Sequence, residues 1–234
     1  MGSSVSCLTR PPSYDPERVK KLFPIINDTE TLLKYIDYAK KHNHYELIKE
    51  KFKKENIVDD TNMLTTNDKP FNVFARLASG VMKNNVDQSL LGEYGDRFMI
   101  CHNRPGNDEN WNNLDFPSAS MAGPDENGPG HVFITAKNLD YHRFNILPII
   151  LENDVRYLGD LLLAAIKYTS NRGWSKPGFF FHCYPHNSVQ SLHLHVLNMD
   201  KLGPWFEAGV YKNLNIYDVL SVMEVPRNPY YTFV

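Results

Sequence analysis

Asn187-Ser188-Val189-Gln190-Ser191-Leu192-His193-Leu194-His195-Val196-Leu197 alternates strictly between polar and apolar residues from Ser191 onward. A period of two marks a β-strand with one half-buried face. Ser191, His193 and His195 then project from one side. Leu192, Leu194 and Val196 project from the other, toward a core. Imidazoles two residues apart on a strand lie roughly 6–7 Å apart at their Cα atoms. That is close enough to act on one phosphate or one metal ion.

Outward from this strand the chain reads as one mixed domain with additions at both ends. Upstream patterns predict a helix over 71–80, a strand over 86–91, a turn at Glu93-Tyr94-Gly95-Asp96, and strands over 97–102 and 131–136. Residues 104–130, rich in Asn, Asp, Gly and Pro, form a long polar insertion. It is placed either to lid the site or to stand as a tolerated surface loop. A helix follows over about 150–170, its apolar face formed by Leu158, Leu161, Leu162, Ala165 and Ile166. A strand over 179–184 leads into the histidine strand. His182, Cys183 and His186 crowd the same end of the sheet. The organisation is a disordered arm over 1–16, a helical extension over 17–66, the main domain over 67–202 and a C-terminal extension over 203–234 with a short helix near Ile216 to Met223. In the extension, Asp28-Thr29-Glu30-Thr31 reads as a helix start, and His42-Asn43-His44 as a break before a second helix.

The histidine strand resembles the signature of the histidine-triad nucleotide hydrolases and transferases: Gln-Ser-Val, one residue, then three histidines alternating with apolar residues. Here Asn187 stands for the Gln, Ser191 for the first histidine, and His193 and His195 for the second and third. Gly130-His131-Val132-Phe133-Ile134-Thr135-Ala136-Lys137 is similar to the family strand that runs from a His to a Pro-Lys, with Ala136 for the Pro. Phe98 to Pro105 resembles the strand ending in a ribose-gripping Asp, here Asn103. Phe74-Ala75-Arg76-Leu77-Ala78-Ser79-Gly80 resembles the opening helix. The resemblance spans roughly residues 70–200. It implies an α+β fold with an antiparallel sheet of about five strands, packed helices on one face, and a homodimer.

The resemblance also implies a chemistry. His193 attacks the α-phosphate of a nucleoside phosphate ester, anhydride or phosphoramidate, giving a nucleotidyl-imidazole that water or an acceptor then cleaves. His195 donates to the phosphoryl oxygens. Ser188 donates to the phosphate or leaving group, and His131 orients from the adjacent strand. Asn103, Asn187 and Lys137 contact substrate. Ser191 can hydrogen-bond but cannot carry charge at neutral pH, and His186 is the candidate replacement cation. No metal or other cofactor is implied.

Composition agrees with a globular protein: 42% hydrophobic and 22% charged residues. A net charge of −2 gives no signal for nucleic-acid binding. The three cysteines, Cys7, Cys101 and Cys183, favour a reducing compartment over a disulfide framework. No apolar run reaches the length of a membrane span. Met1-Gly2-Ser3-Ser4-Val5-Ser6-Cys7 fits N-myristoylation at Gly2 with palmitoylation at Cys7. Two acyl chains would hold a cytoplasmic protein stably on a membrane surface. Two other function classes stand beside the enzyme: a membrane-tethered nucleotide sensor without turnover, and a metal-dependent enzyme ligating through His193 and His195 with His131 or His182 as third ligand.

Overall fold

The computed structural model describes residues 14–60, 77, 86–87, 89, 92–117, 119–137, 155–189 and 192–223. Gly2, Cys7, Ser191 and the helix expected over 71–80, Leu77 apart, lie outside them. Three helices come first: α1 (Pro16–Leu22), α2 (Thr29–Lys41) and α3 (His44–Lys54). Asp28 caps α2, its carboxylate accepting from the Thr31 amide at 2.8 Å. Asn43, in the left-handed region at φ 52°, makes the predicted break. Then follow β1 (Val86–Asp87), α4 (Glu93–Arg97), β2 (Phe98–His102), α5 (Pro105–Glu109) and β3 (His131–Ala136). The second half holds α6 (Val155–Asn171), β4 (Pro177–His182), β5 (Leu194–Asn198), α7 (Pro204–Ala208), β6 (Asn213–Asn215) and α8 (Ile216–Val222).

The strands form one antiparallel sheet in the order β1-β2-β3-β5-β4-β6. β1 is a two-residue edge piece, so five strands carry the sheet. The fold is α+β, as the alternating patterns predict. The residues expected to turn at 93–96 instead form the short helix α4.

Alternation sorts the sheet into two faces. Ile100, Val132, Ile134, Leu194, Val196 and Phe181 enter the main core. The apolar stripe of α6 covers them with Leu158, Leu161, Leu162 and Ala165. Ile166, expected on that stripe, is 40% exposed, and the stripe continues through Tyr168 instead. The N-terminal helices join the same core through Leu32, Tyr35, Ile48 and Phe52. Their link to the C-terminal segment is direct: the Ile26 amide donates to the Tyr211 carbonyl at 2.8 Å. The Thr29 hydroxyl donates to Asp218 on α8 at 2.8 Å.

The insertion over 104–130 is a packed cover on the opposite face. Asp125 receives Arg172 at 3.0 Å and the Trp174 indole at 2.6 Å. The Gly123 amide donates to the Lys201 carbonyl at 2.8 Å, and the Gly203 amide to the Met121 carbonyl at 2.9 Å. A Cβ on Gly123 would stand 2.5 Å from the Trp111 ring, so only glycine admits that contact.

Phe52 is 1% exposed and meets Tyr184 edge-on with ring centres 5.3 Å apart. Phe52→Ala is therefore expected to cost about 3–5 kcal/mol of stability. Urea unfolding measures it; a loss below about 1 kcal/mol would separate α3 from the core.

Candidate active site

The face turned away from α6 carries four imidazoles. His131 begins β3, His182 ends β4, and His195 lies on β5 between them, paired with Phe133 on one side and Phe180 on the other. His193 stands two residues before His195 on the same face. The Thr135 hydroxyl, donating to the Leu192 carbonyl at 2.7 Å, ties the entry to β5 onto β3. His131, His182, His193 and His195 are all buried.

Their hydrogen bonds form a directed chain. The backbone amide of Met121 donates to His131 Nδ1 at 3.2 Å. An amide only donates, so that nitrogen is an acceptor, and neutral His131 carries its proton on Nε2. Nε2 faces His195 Nδ1 at 3.1 Å, which must accept. Neutral His195 then holds its proton on Nε2, which faces His193 Nε2 at 3.1 Å. One backbone amide thereby assigns both tautomers. His195 presents an N–H, and His193 receives it on the Nε2 lone pair. His182 lies against His195 with ring centres 3.9 Å apart, and its Nε2 donates to Asn213 Oδ1 at 2.9 Å.

Burial keeps His131, His182 and His195 neutral. His131 is lowered to about 3, by burial first and then by repulsion from His193. His182 and His195 are also pushed well below the ordinary histidine value, chiefly by burial. A second network reaches His131 from the insertion. Asn103 Nδ2 donates to Ser120 Oγ at 2.5 Å and approaches His131 Nδ1 at 3.3 Å. Ser120 in turn donates to Asp108 at 2.5 Å. Burial raises the Asp108 carboxyl above its usual range.

A cavity of about 450 Å³ opens over the cluster. Its walls come from β2 and the insertion on one side, and from the Trp205–Lys212 segment on the other. Among the described residues that line it there is no carboxylate, whereas Arg104 and Lys212 contribute basic side chains. Burial lowers the Lys212 ammonium below its ordinary value.

The structure sorts the residues expected from sequence. His131, His193 and His195 come together. Ser188 lines the cavity and is exposed; Asn187 lines it and is buried, its amide donating to the Val189 carbonyl at 2.7 Å. Asn103 reaches the wall, but its amide is engaged inward by Ser120 and His131. Lys137 sits exposed at the far end of β3, about 20 Å along the strand from His131; it does not join the cavity. His186, the candidate replacement cation, does not line the cavity. Its Nε2 donates to the Phe23 carbonyl at 2.7 Å, and burial lowers its basicity. Ser191 lies outside the described residues.

Sequence reasoning missed Lys212, Arg104 and the Asp108–Ser120 pair. Among the described residues no group of three or more His, Cys, Asp or Glu side chains is arranged to hold a metal ion. No protein-family model, curated protein or solved structure matches the chain.

Two outcomes follow. The unfolded chain protonates its histidines near 6.5, while the folded values of His131, His182 and His195 lie below that. Stability is therefore complete above pH 6.5 and falls as the pH drops, by up to about 1.4 kcal/mol per pH unit for each of the three. Urea unfolding between pH 7.5 and 5 measures the slope, and His182→Gln should remove one proton's share of it. Ser120→Ala leaves Asp108 and Asn103 without their shared partner. It should cost about 1–3 kcal/mol in the same assay at pH 7.5.

Proposed function

We propose that this chain is a nucleotidyl hydrolase or transferase that works through a nucleotidyl-histidine intermediate on His193. The observation that carries the proposal is the directed chain His131–His195–His193. It leaves a neutral imidazole lone pair and an N–H donor side by side in a cavity lined by cations. An incoming phosphoryl group takes the place of the His193–His195 contact. His193 Nε2 attacks phosphorus, the P–N bond forms, and the bond to the leaving group breaks. His195 Nε2–H donates to a non-bridging oxygen as charge builds there. Ser188, at the exposed edge, donates toward the leaving group. Water or an acceptor hydroxyl then cleaves the P–N bond and restores neutral His193.

Neutrality suits the task, because an anionic nucleophile would be repelled by the phosphate. The sequence resemblance to the histidine-triad enzymes points to the same chemistry and to nucleoside phosphate conjugates as substrates. A homodimer belongs to the same reading. So does attachment to the cytoplasmic face of a membrane through acylated Gly2 and Cys7. Among the described residues no helix is long and apolar enough to cross a membrane.

Incubation with a panel of nucleoside phosphate esters, anhydrides and phosphoramidates, quenched in alkali, should trap a nucleotidyl group on His193 by mass spectrometry. His193→Ala should abolish both adduct and turnover while leaving the unfolding transition in place. Undiminished turnover in that variant refutes the assignment, and nucleotide binding without turnover in the wild type would make the chain a sensor.

A further inference from the structure

Lys212 ends the short 3₁₀ turn Val210–Lys212 and leads directly into β6. The next residue, Asn213, accepts the His182 hydrogen bond and pairs with His182 across the sheet. The backbone thus ties Lys212 to the histidine cluster. Its side chain is half-buried and lines the cavity. The stem passes over Gly209, where a Cβ would meet Lys212 Cε at 3.5 Å. The ammonium lies 5.9 Å from the centre of the Tyr211 ring.

The other partly buried cations among the described residues, Lys20, Lys49, Lys51 and Arg172, have carboxylate partners. Arg172 has Asp125 at 3.0 Å, and Arg97 has Asp160 at 2.8 Å. Lys212 has none among the described residues. Withdrawing an ammonium from water without a counter-charge is costly, and the flexible four-carbon stem could carry it into solvent. Retention in a cavity whose described lining holds no carboxylate suits a site completed by an anionic ligand. The geometry points to Lys212 as the cation that grips the phosphoryl group attacked by His193, on the wall opposite Arg104. This rests on the function proposed above and deepens it: with serine at position 191, the charge that the first triad histidine would bring comes instead from the turn that leads into β6. The ligand class is a nucleoside phosphate, held through its non-bridging oxygens as charge accumulates on them.

The test is calorimetric titration of the full chain with inorganic phosphate, the four nucleoside 5′-monophosphates and the corresponding nucleosides. Turnover of the best conjugate from the panel is measured alongside. Lys212→Met keeps the stem and removes the charge; Lys212→Gln is the second neutral variant, and Lys212→Arg restores the charge. The wild type should bind a monophosphate, and both neutral variants should weaken it by at least about tenfold. Nucleoside affinity should stay unchanged, and kcat/KM should fall by about a hundredfold. Lys212→Arg should recover most of both losses. Equal monophosphate affinity and turnover in wild type and Lys212→Met overturns the role of Lys212 and leaves the His193 reading standing. A wild type that binds neither phosphate nor any monophosphate overturns both.

Discussion

The hydrogen bond from the Met121 amide to His131 Nδ1 is the contact on which the arrangement of this protein turns. A backbone amide has no alternative role. By donating, it decides that His131 donates from Nε2, that His195 accepts on Nδ1, and that His195 offers its own proton to His193. The order of three side chains, one on β3, one on β5 and one just before β5, follows from one main-chain group in the insertion. The Asn103 amide, 3.3 Å from His131 Nδ1, reinforces that order.

That dependence explains why the insertion is packed and not loose. Asp125, held by Arg172 and Trp174, moors one end to the loop that follows α6. The exchange of amide bonds between Gly123, Gly203, Met121 and Lys201 moors the middle. Neutral histidines can be buried only if their nitrogens are satisfied. The insertion supplies both the shielding from water and the donors that make shielding tolerable. The same burial lowers the basicity of His131, His182 and His195.

The parts of this molecule legible in sequence are those governed by short-range periodicity. Alternation placed Leu192, Leu194 and Val196 in the core and the histidines opposite. Asp28 and Asn43 marked the ends of helices through local backbone chemistry. What sequence did not reveal depends on contacts between distant segments. His186 sits beside Pro185 near the histidines in the chain, yet the chain folds so that it meets Phe23, 163 residues away. Lys137 keeps the expected spacing from His131, and that spacing is what carries it to the wrong end of the strand. Lys212 has no pattern around it; only the pairing of β6 with β4 brings it to the cluster. Nor could the run of Asn, Asp and Gly in the insertion reveal that Ser120 would bridge Asp108 and Asn103.

On the proposed reading, the departures from the histidine-triad pattern are physically linked. A carboxylate at position 103 would face the Nδ1 lone pair of His131 and the hydroxyl of Ser120, which already donates to Asp108. Two acceptors and a second carboxylate within one hydrogen-bond network would repel it. An amide resolves the conflict, because Nδ2 donates to Ser120 and turns toward His131 at once. Asn103 is therefore the residue that the insertion requires, whatever it does for a ribose. Serine in place of the first histidine fits the same logic on the proposed reading. Burial holds His131, His182 and His195 neutral, and on that reading a further charged ring would carry the same desolvation cost. A lysine, whose ammonium sits at the end of a flexible stem on the cavity wall, can meet an anionic ligand without entering the packed cluster. On the proposed reading, two duties that a triad combines are separated: hydrogen-bonded nucleophile assembly stays on the sheet, and charge neutralisation moves to the rim.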